Sequence, residues 1–210
     1  MNSAQTIASQ LLAVDAVKFN IKQPFTWASG WKSPVYCDNR KLLSFPYVRD
    51  LIKKELSTLI TKVAPDTDAL AGVATAGIAW SVLAADELRL PCLYVRPKPK
   101  EHGMGNQIEG MYTPGQNILV IEDLISTGKS SLQVCEILEK SGVQVSGLVS
   151  IFDYGFPQAS ASFSTAGIPF YSLTTYEILI NMAVEKKIVS SEQLNTLLNW
   201  RSNPAEWNGI

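Results

Sequence analysis

The sequence predicts an α/β fold: a mainly parallel sheet flanked by helices, with an irregular hood at its N-terminal end. Three observations lead there. Short apolar runs at residues 69–73, 92–95, 118–121 and 145–152 alternate with stretches of helical periodicity. Two of these runs pass directly into a small-residue turn that opens a helix, the βα junction of a parallel sheet. Apolar residues make up 46% of the chain, enough for strands buried on both faces.

The totals bound the rest. A length of 210 residues suits a single domain, residues 1–210, with a hood from about residues 1–45 plus part of the C-terminal region. There are 18 basic and 19 acidic residues, a net charge of -1, so nothing points to nucleic acid. No apolar stretch is long enough to span a bilayer. The first residues, MNSAQTIASQ, lack the basic and apolar regions of a signal peptide, so the expectation is a cytoplasmic protein. Cys37, Cys92 and Cys135 are scattered and odd in number, which reads as reduced thiols without metal spacing.

In chain order, residues 4–18 read as a helix, with Ile7, Leu11, Val14 and Val17 on one stripe. Residues 21–40 mix Pro, Gly, Ser and aromatics, the signature of a hairpin-like flap. Its Phe25, Trp27, Trp31 and Tyr36 either cover a flat ligand or pack over the sheet edge. Residues 44–63 form a helix with Ser44 as N-cap candidate and Pro46 in the first turn. The run 69–73 is a strand, residues 74–77 a turn, and residues 78–88 a helix. After the strand 92–95 comes RPKPKEHGMG, whose prolines and glycines forbid a regular element. Its Arg96, Lys98, Lys100 and His102 make it a cationic loop suited to closing over a polyanion. Leu132, Cys135 and Leu138 form a helix stripe, and residues 145–152 a strand. Residues 153–169 read as a polar connection, and 170–173 as a strand. Thr174 with Glu177, and Ser190 with Gln193, have capping-box spacing and start the last two helices.

The most informative stretch is NILVIEDLISTGKSS, residues 117–131. An apolar strand ends in Glu122 and Asp123, and a turn of Ser126, Thr127 and Gly128 leads through Lys129 and Ser130 into a helix. Such a turn gathers free N–H groups, hydroxyls and the positive end of a helix dipole, which is a phosphate cradle. It has neither Walker A nor GxGxxG spacing. Two acids beside a phosphate site make sense if they hold hydroxyls or a divalent metal, as a phosphorylated sugar would require. The turn containing Thr75, Ala76 and Gly77 is a second cradle, and a substrate with two phosphorylated ends needs two.

These segments resemble the type I phosphoribosyltransferases, and within them the orotate branch. Residues 120–128 are similar to that family's motif for phosphoribosyl pyrophosphate (PRPP). FTWASG with SPVY resembles its N-terminal hood, residues 72–78 its pyrophosphate loop, and Tyr94 to Gly110 its flexible catalytic loop. The resemblance implies transfer of the phosphoribosyl group of PRPP to orotate, giving orotidine 5-monophosphate and pyrophosphate, with Mg2+ carried on PRPP and no metal site in the protein itself. It implies that Lys100 and His102 are catalytic, and that Arg96, Lys98, Lys100 and His102 meet pyrophosphate. Glu122 and Asp123 would meet the ribose hydroxyls. Leu124, Ile125, Ser126, Thr127, Gly128, Lys129 and Ser130 would line the 5-phosphate site, Ser126 also reaching orotate. Thr75, Ala76 and Gly77 would hold pyrophosphate, and Tyr36 would face the substrates from the hood. A homodimer is implied, each catalytic loop acting in the neighbouring subunit.

The chain departs from the family pattern in places. Ala28 stands where many members have Lys, and Pro97 where many have a second basic residue, with Lys98 one place later. Asp153 and Tyr154 follow the strand where many members carry an Arg for the orotate carboxylate, leaving Arg40 as the substitute candidate. Two rivals remain: a sister phosphoribosyltransferase for another base, and a non-catalytic PRPP sensor. The hood sequence argues against the first. Lys100, Glu101, His102 and the net charge argue against the second.

Overall fold

A computed structural model describes residues 1–27, 29–97 and 106–208. At its centre is a six-stranded sheet in the order β10-β9-β8-β5-β6-β7. The strands are β5 (Ala69–Val73), β6 (Cys92–Val95), β7 (Ile108–Glu109), β8 (Asn117–Ile125), β9 (Gln144–Asp153) and β10 (Phe170–Thr175). All pair in parallel except β7, which runs antiparallel to β6 at one edge. The expected α/β architecture is therefore observed, and β5 and β6 have the bounds read from the sequence.

Side chains along β8 alternate between two cores, as the period of a strand dictates. Leu119 and Ile121 point to one cluster, with Ile52 and Leu56 of α2 (Pro46–Val63) and Trp80 of α3 (Ala76–Leu88). Ile118 and Val120 point to the other, with Val134 and Leu138 of α4 (Lys129–Lys140) and Phe163 of α5 (Pro157–Ala166). Burial on both faces is why the strands read as continuous apolar runs. Among the described residues, no helix is long and apolar enough to cross a membrane.

Several sequence expectations need correction. The first helix, α1 (Ser3–Ala13), stops before residue 18, because Asp15 adopts a left-handed conformation with φ 53°. Val17 then enters β1 (Val17–Phe19), which pairs antiparallel with β4 (Val35–Cys37). Ser44 is not an N-cap: it ends a 3-10 helix, Asn39–Ser44, and Phe45 caps α2 without a side-chain bond. The connection 153–169 contains a helix, α5, whose buried face consists of Ala159 and Phe163. With the rest of the segment small and polar, no stripe was visible. α6 (Tyr176–Glu185) is capped by Thr175, one residue later than expected, because Thr174 stays buried in the strand. The capping box of Ser190 and Gln193 at α7 (Ser191–Ser202) is present as expected.

Residues 17–27 and 29–44 hold the short strands β1 and β4 and the 3-10 helix, which meets β8 where Asn39 donates to Asp123 O. A second hairpin pairs β2 (Phe25–Thr26) with β3 (Lys32–Ser33). It is anchored by aromatic packing: Trp27 lies 5.1 Å from Tyr154 and 5.7 Å from Trp200, and Tyr154 stacks on Phe156 at 5.3 Å. The Trp200 indole N–H donates to Lys32 O at 3.0 Å, tying α7 to the hood. Of the two roles open to the hood aromatics, Trp27 and Trp31 take the packing one. Phe25 and Tyr36 form a separate pair, 5.6 Å apart, with Tyr36 exposed.

Candidate active site

The site forms where parallel strands deliver their C-terminal ends to one edge. The strand β8 runs past Glu122 and Asp123 to Ile125, so the acids lie inside the strand and not beyond its end. Tyr154 N–H donates to Ile125 O at 3.0 Å and holds this extension against β9. Ile125 itself is fully buried, so its side chain faces the core and not the site.

Beyond Ile125 the chain turns through Ser126, Thr127 and Gly128 into α4. Gly128 has φ 75°, and a Cβ on it would lie 2.6 Å from the Phe163 ring, so both conformation and space select glycine. It caps α4 without any side-chain bond. The first N–H groups of α4 thus have no side-chain cap and carry the positive end of the dipole. Ser126 and Thr127 are half-buried in the turn, while Lys129 and Ser130 are exposed.

The second cradle follows β5. Thr75 caps α3 with no side-chain bond, and the Ala74–Thr75 peptide is cis. A Cβ on Gly77 would lie 2.5 Å from Ile121 O, and one on Gly72 2.9 Å from Gly77 O. Gly72 lets the start of α3 press against β5, and Gly77 lets it press against β8. The two cradles therefore open side by side, with the acidic pair at the seam.

Glu122 is buried, accepts a hydrogen bond from Ser131 Oγ at 3.2 Å and one from Asp123 N–H at 2.9 Å. Burial, and then the neighbouring Asp123 charge, push its carboxyl well above the ordinary value. Burial also raises Asp123, against the pull of its hydrogen bond to Glu122 and of the Arg40 charge. Among the described residues no three acidic, His or Cys side chains converge as metal ligands. Two adjacent carboxylates fit a cation that arrives already held by a phosphorylated substrate.

Lys98, Lys100 and His102 lie outside the described residues, but the root of their loop is defined. Arg96 N–H donates to Gln107 O at 2.9 Å, and the Gln107 amide returns a bond to Arg96 O at 3.2 Å. Gln133 of α4 donates to Pro97 O at 3.3 Å. Arg96 pairs with Glu109 at 3.9 Å. Because β6 is parallel to β5 and β8, the loop departs from the edge that carries both cradles.

On the hood side, Arg40 is exposed and its Nε donates to Asp38 at 2.6 Å. Its charge reaches both Tyr36 and Asp123, which brings these three sequence-selected residues into one neighbourhood. Asp153 is buried, accepts from Gly155 N–H at 2.8 Å and feels the charge of Arg201, which itself pairs with Glu177 at 3.6 Å. Sequence reasoning missed two residues. Ser131 turns inward to Glu122 and not toward a phosphate. Asn39, fully buried, donates to Asp123 O at 2.6 Å. Ser131 had a signal, its place in the hydroxyl run; Asn39 had none.

The comparisons agree with this geometry. Residues 42–160 match the family model for the phosphoribosyl transferase domain. The orotate phosphoribosyltransferase of Cytophaga hutchinsonii is 50% identical over 207 residues, covering 99% of each chain. That of Bacillus subtilis is 50% identical over 200 residues, covering 95% of this chain and 93% of the relative. The crystal structure of orotate phosphoribosyltransferase from Aeropyrum pernix superposes with a TM-score of 0.76 at 28% identity, covering 88% of this chain and 99% of that one. With likeness of that extent in sequence, domain and fold, the chain belongs to the orotate phosphoribosyltransferases.

Proposed function

We propose that this chain transfers the 5-phosphoribosyl group of PRPP to orotate, giving orotidine 5-monophosphate and pyrophosphate in pyrimidine synthesis. The observation that carries this reading is the abutment of two anion cradles at Gly77 and Ile121, with the Glu122–Asp123 pair between them. A substrate phosphorylated at both ends of one sugar suits that arrangement.

In this reading the N–H groups and hydroxyls of residues 126–130 bind the 5-phosphate. Glu122 and Asp123 accept bonds from the ribose hydroxyls. Residues 75–77 receive pyrophosphate, with Arg96, Lys98, Lys100 and His102 placed around it by the loop. The C1–oxygen bond breaks and its electron pair leaves with pyrophosphate, while the orotate nitrogen attacks C1 from the opposite face and gives up its N–H proton to solvent. Lys100 and His102 stabilise charge as it develops on the leaving group, and either one donates a proton to it. Mg2+ carried on PRPP would supply further neutralisation of that charge, beside Glu122 and Asp123. Arg40 and Tyr36 face orotate from the hood, which residues 1–45 and part of the C-terminal region form within a single domain. The protein acts in the cytoplasm as a homodimer whose loops serve neighbouring sites.

The test is a panel of bases incubated with protein, PRPP and Mg2+, with pyrophosphate release as readout. Release with orotate and not with uracil or adenine is expected. Release only with another base moves the chain to a sister activity, and PRPP binding without turnover leaves a sensor. Mixing Lys100→Ala with Asp123→Asn subunits tests the shared site. About a quarter of wild-type activity should return, because half the dimers are hybrids with one intact site each.

A further inference from the structure

We propose that Asn39 is a positioning residue for PRPP, fixing the Asp123 main chain from the hood. The inference rests on the proposed role of the acidic pair. Pairing of β5 with β8 ends at Gly72 and Ile121, so beyond that point β8 has lost its neighbour on the β5 side. On its other side β8 pairs Glu122 with Ser150 and Leu124 with Phe152. Asp123 stands between them, and both its main-chain polar groups are met by side chains. Its N–H donates to Glu122 at 2.9 Å, and its carbonyl accepts from the Asn39 amide at 2.6 Å.

Asn39 is well placed to set a position and not merely to fill space. It is fully buried, and its amide oxygen accepts from Cys37 Sγ at 3.2 Å, so both ends of the amide are engaged. Burial pushes the Cys37 thiol up, which keeps it a neutral donor. The adjacent Asp38 and Arg40 are locked to each other, which holds the turn that presents Asn39. A residue remote in sequence thus decides where the carboxylate of Asp123 points. Removing the amide leaves the carbonyl of Asp123 half-buried and without this partner, and frees the strand tip to rotate.

Steady-state kinetics of Asn39→Ala and of the isosteric Asn39→Asp, beside Asp123→Asn, test this. The KM for PRPP should rise about tenfold in both Asn39 variants, the equivalent of losing one good hydrogen bond. The KM for orotate should change less than about twofold, and the rise in Tm produced by saturating PRPP should shrink by at least half. A lower Tm with an unchanged KM for PRPP would assign Asn39 to packing alone and overturn the proposal. If Asn39→Ala does not fold, Asn39→Asp and Asn39→Ser carry the same comparison. Failure of the underlying reading is separable: Asp123→Asn would then also leave the KM for PRPP unchanged. A large effect in Asp123→Asn alone would sink only the role of Asn39.

Discussion

Gly77 meets Ile121 so closely that a methyl group on the glycine would stand 2.5 Å from the Ile121 carbonyl oxygen. Neither partner can yield cheaply, since one is the first turn of α3 and the other the middle of the sheet. Gly77→Ala should therefore cost about 1–3 kcal/mol of stability, as overpacking does. It should also raise the KM for PRPP, because the two cradles separate. Thermal unfolding with and without PRPP checks both effects.

Gly128 combines a left-handed backbone with contact to Phe163. Gly128→Ala strains the turn whatever space is made, so Ala should weaken PRPP binding while Phe163→Leu fails to rescue it. Equal recovery in the Gly128→Ala/Phe163→Leu double variant would show that space, and not backbone conformation, selects the glycine.

The raised Glu122 carboxyl gives stability a pH dependence of known sign. A carboxyl whose folded pKa lies above its unfolded one binds more protons when folded. Its contribution is complete below the ordinary carboxylate range and is lost as pH rises through the raised value. The free protein should lose up to about 1.4 kcal/mol per pH unit across that window. Glu122→Gln should flatten the profile and raise Tm near neutrality, while impairing turnover. A profile unchanged by Glu122→Gln would show that another group carries the dependence.

Trp200 joins the hood to the body through Tyr154, Trp27 and the Lys32 carbonyl. Trp200→Ala should cost about 3–5 kcal/mol and raise the KM for orotate more than that for PRPP. Trp200→Phe should restore stability in part, lacking only the indole donor.

Much of this was legible in the sequence, and the reasons differ by residue. The bounds of β5 and β6 were visible because apolar runs stop at turn-forming residues. The strand, turn and helix start around residues 120–128 were visible because strand, acids, hydroxyls and glycine are contiguous. The helix α5 was hidden, since two residues make its buried face among serines and alanines. The true end of β8 was hidden too, because Glu122 and Asp123 break an apolar pattern while remaining in register with β9. Asn39 was beyond reach, as its partner lies across the hood and only the folded chain brings them together. Arg40 is legible only as a cation after the hood that could stand in for the missing Arg; the fold adds that Asp38 already holds it.

The central claim is that the cradles, the acidic pair and the loop together act on PRPP and orotate. The most direct measurement is the loss of orotate absorbance on mixing protein, orotate, PRPP and Mg2+, with Lys100→Ala beside the wild type. Rapid loss in the wild type, and a rate roughly 100-fold or more lower in the variant, is the predicted result. No loss of orotate in the wild type, with PRPP demonstrably bound, would contradict it.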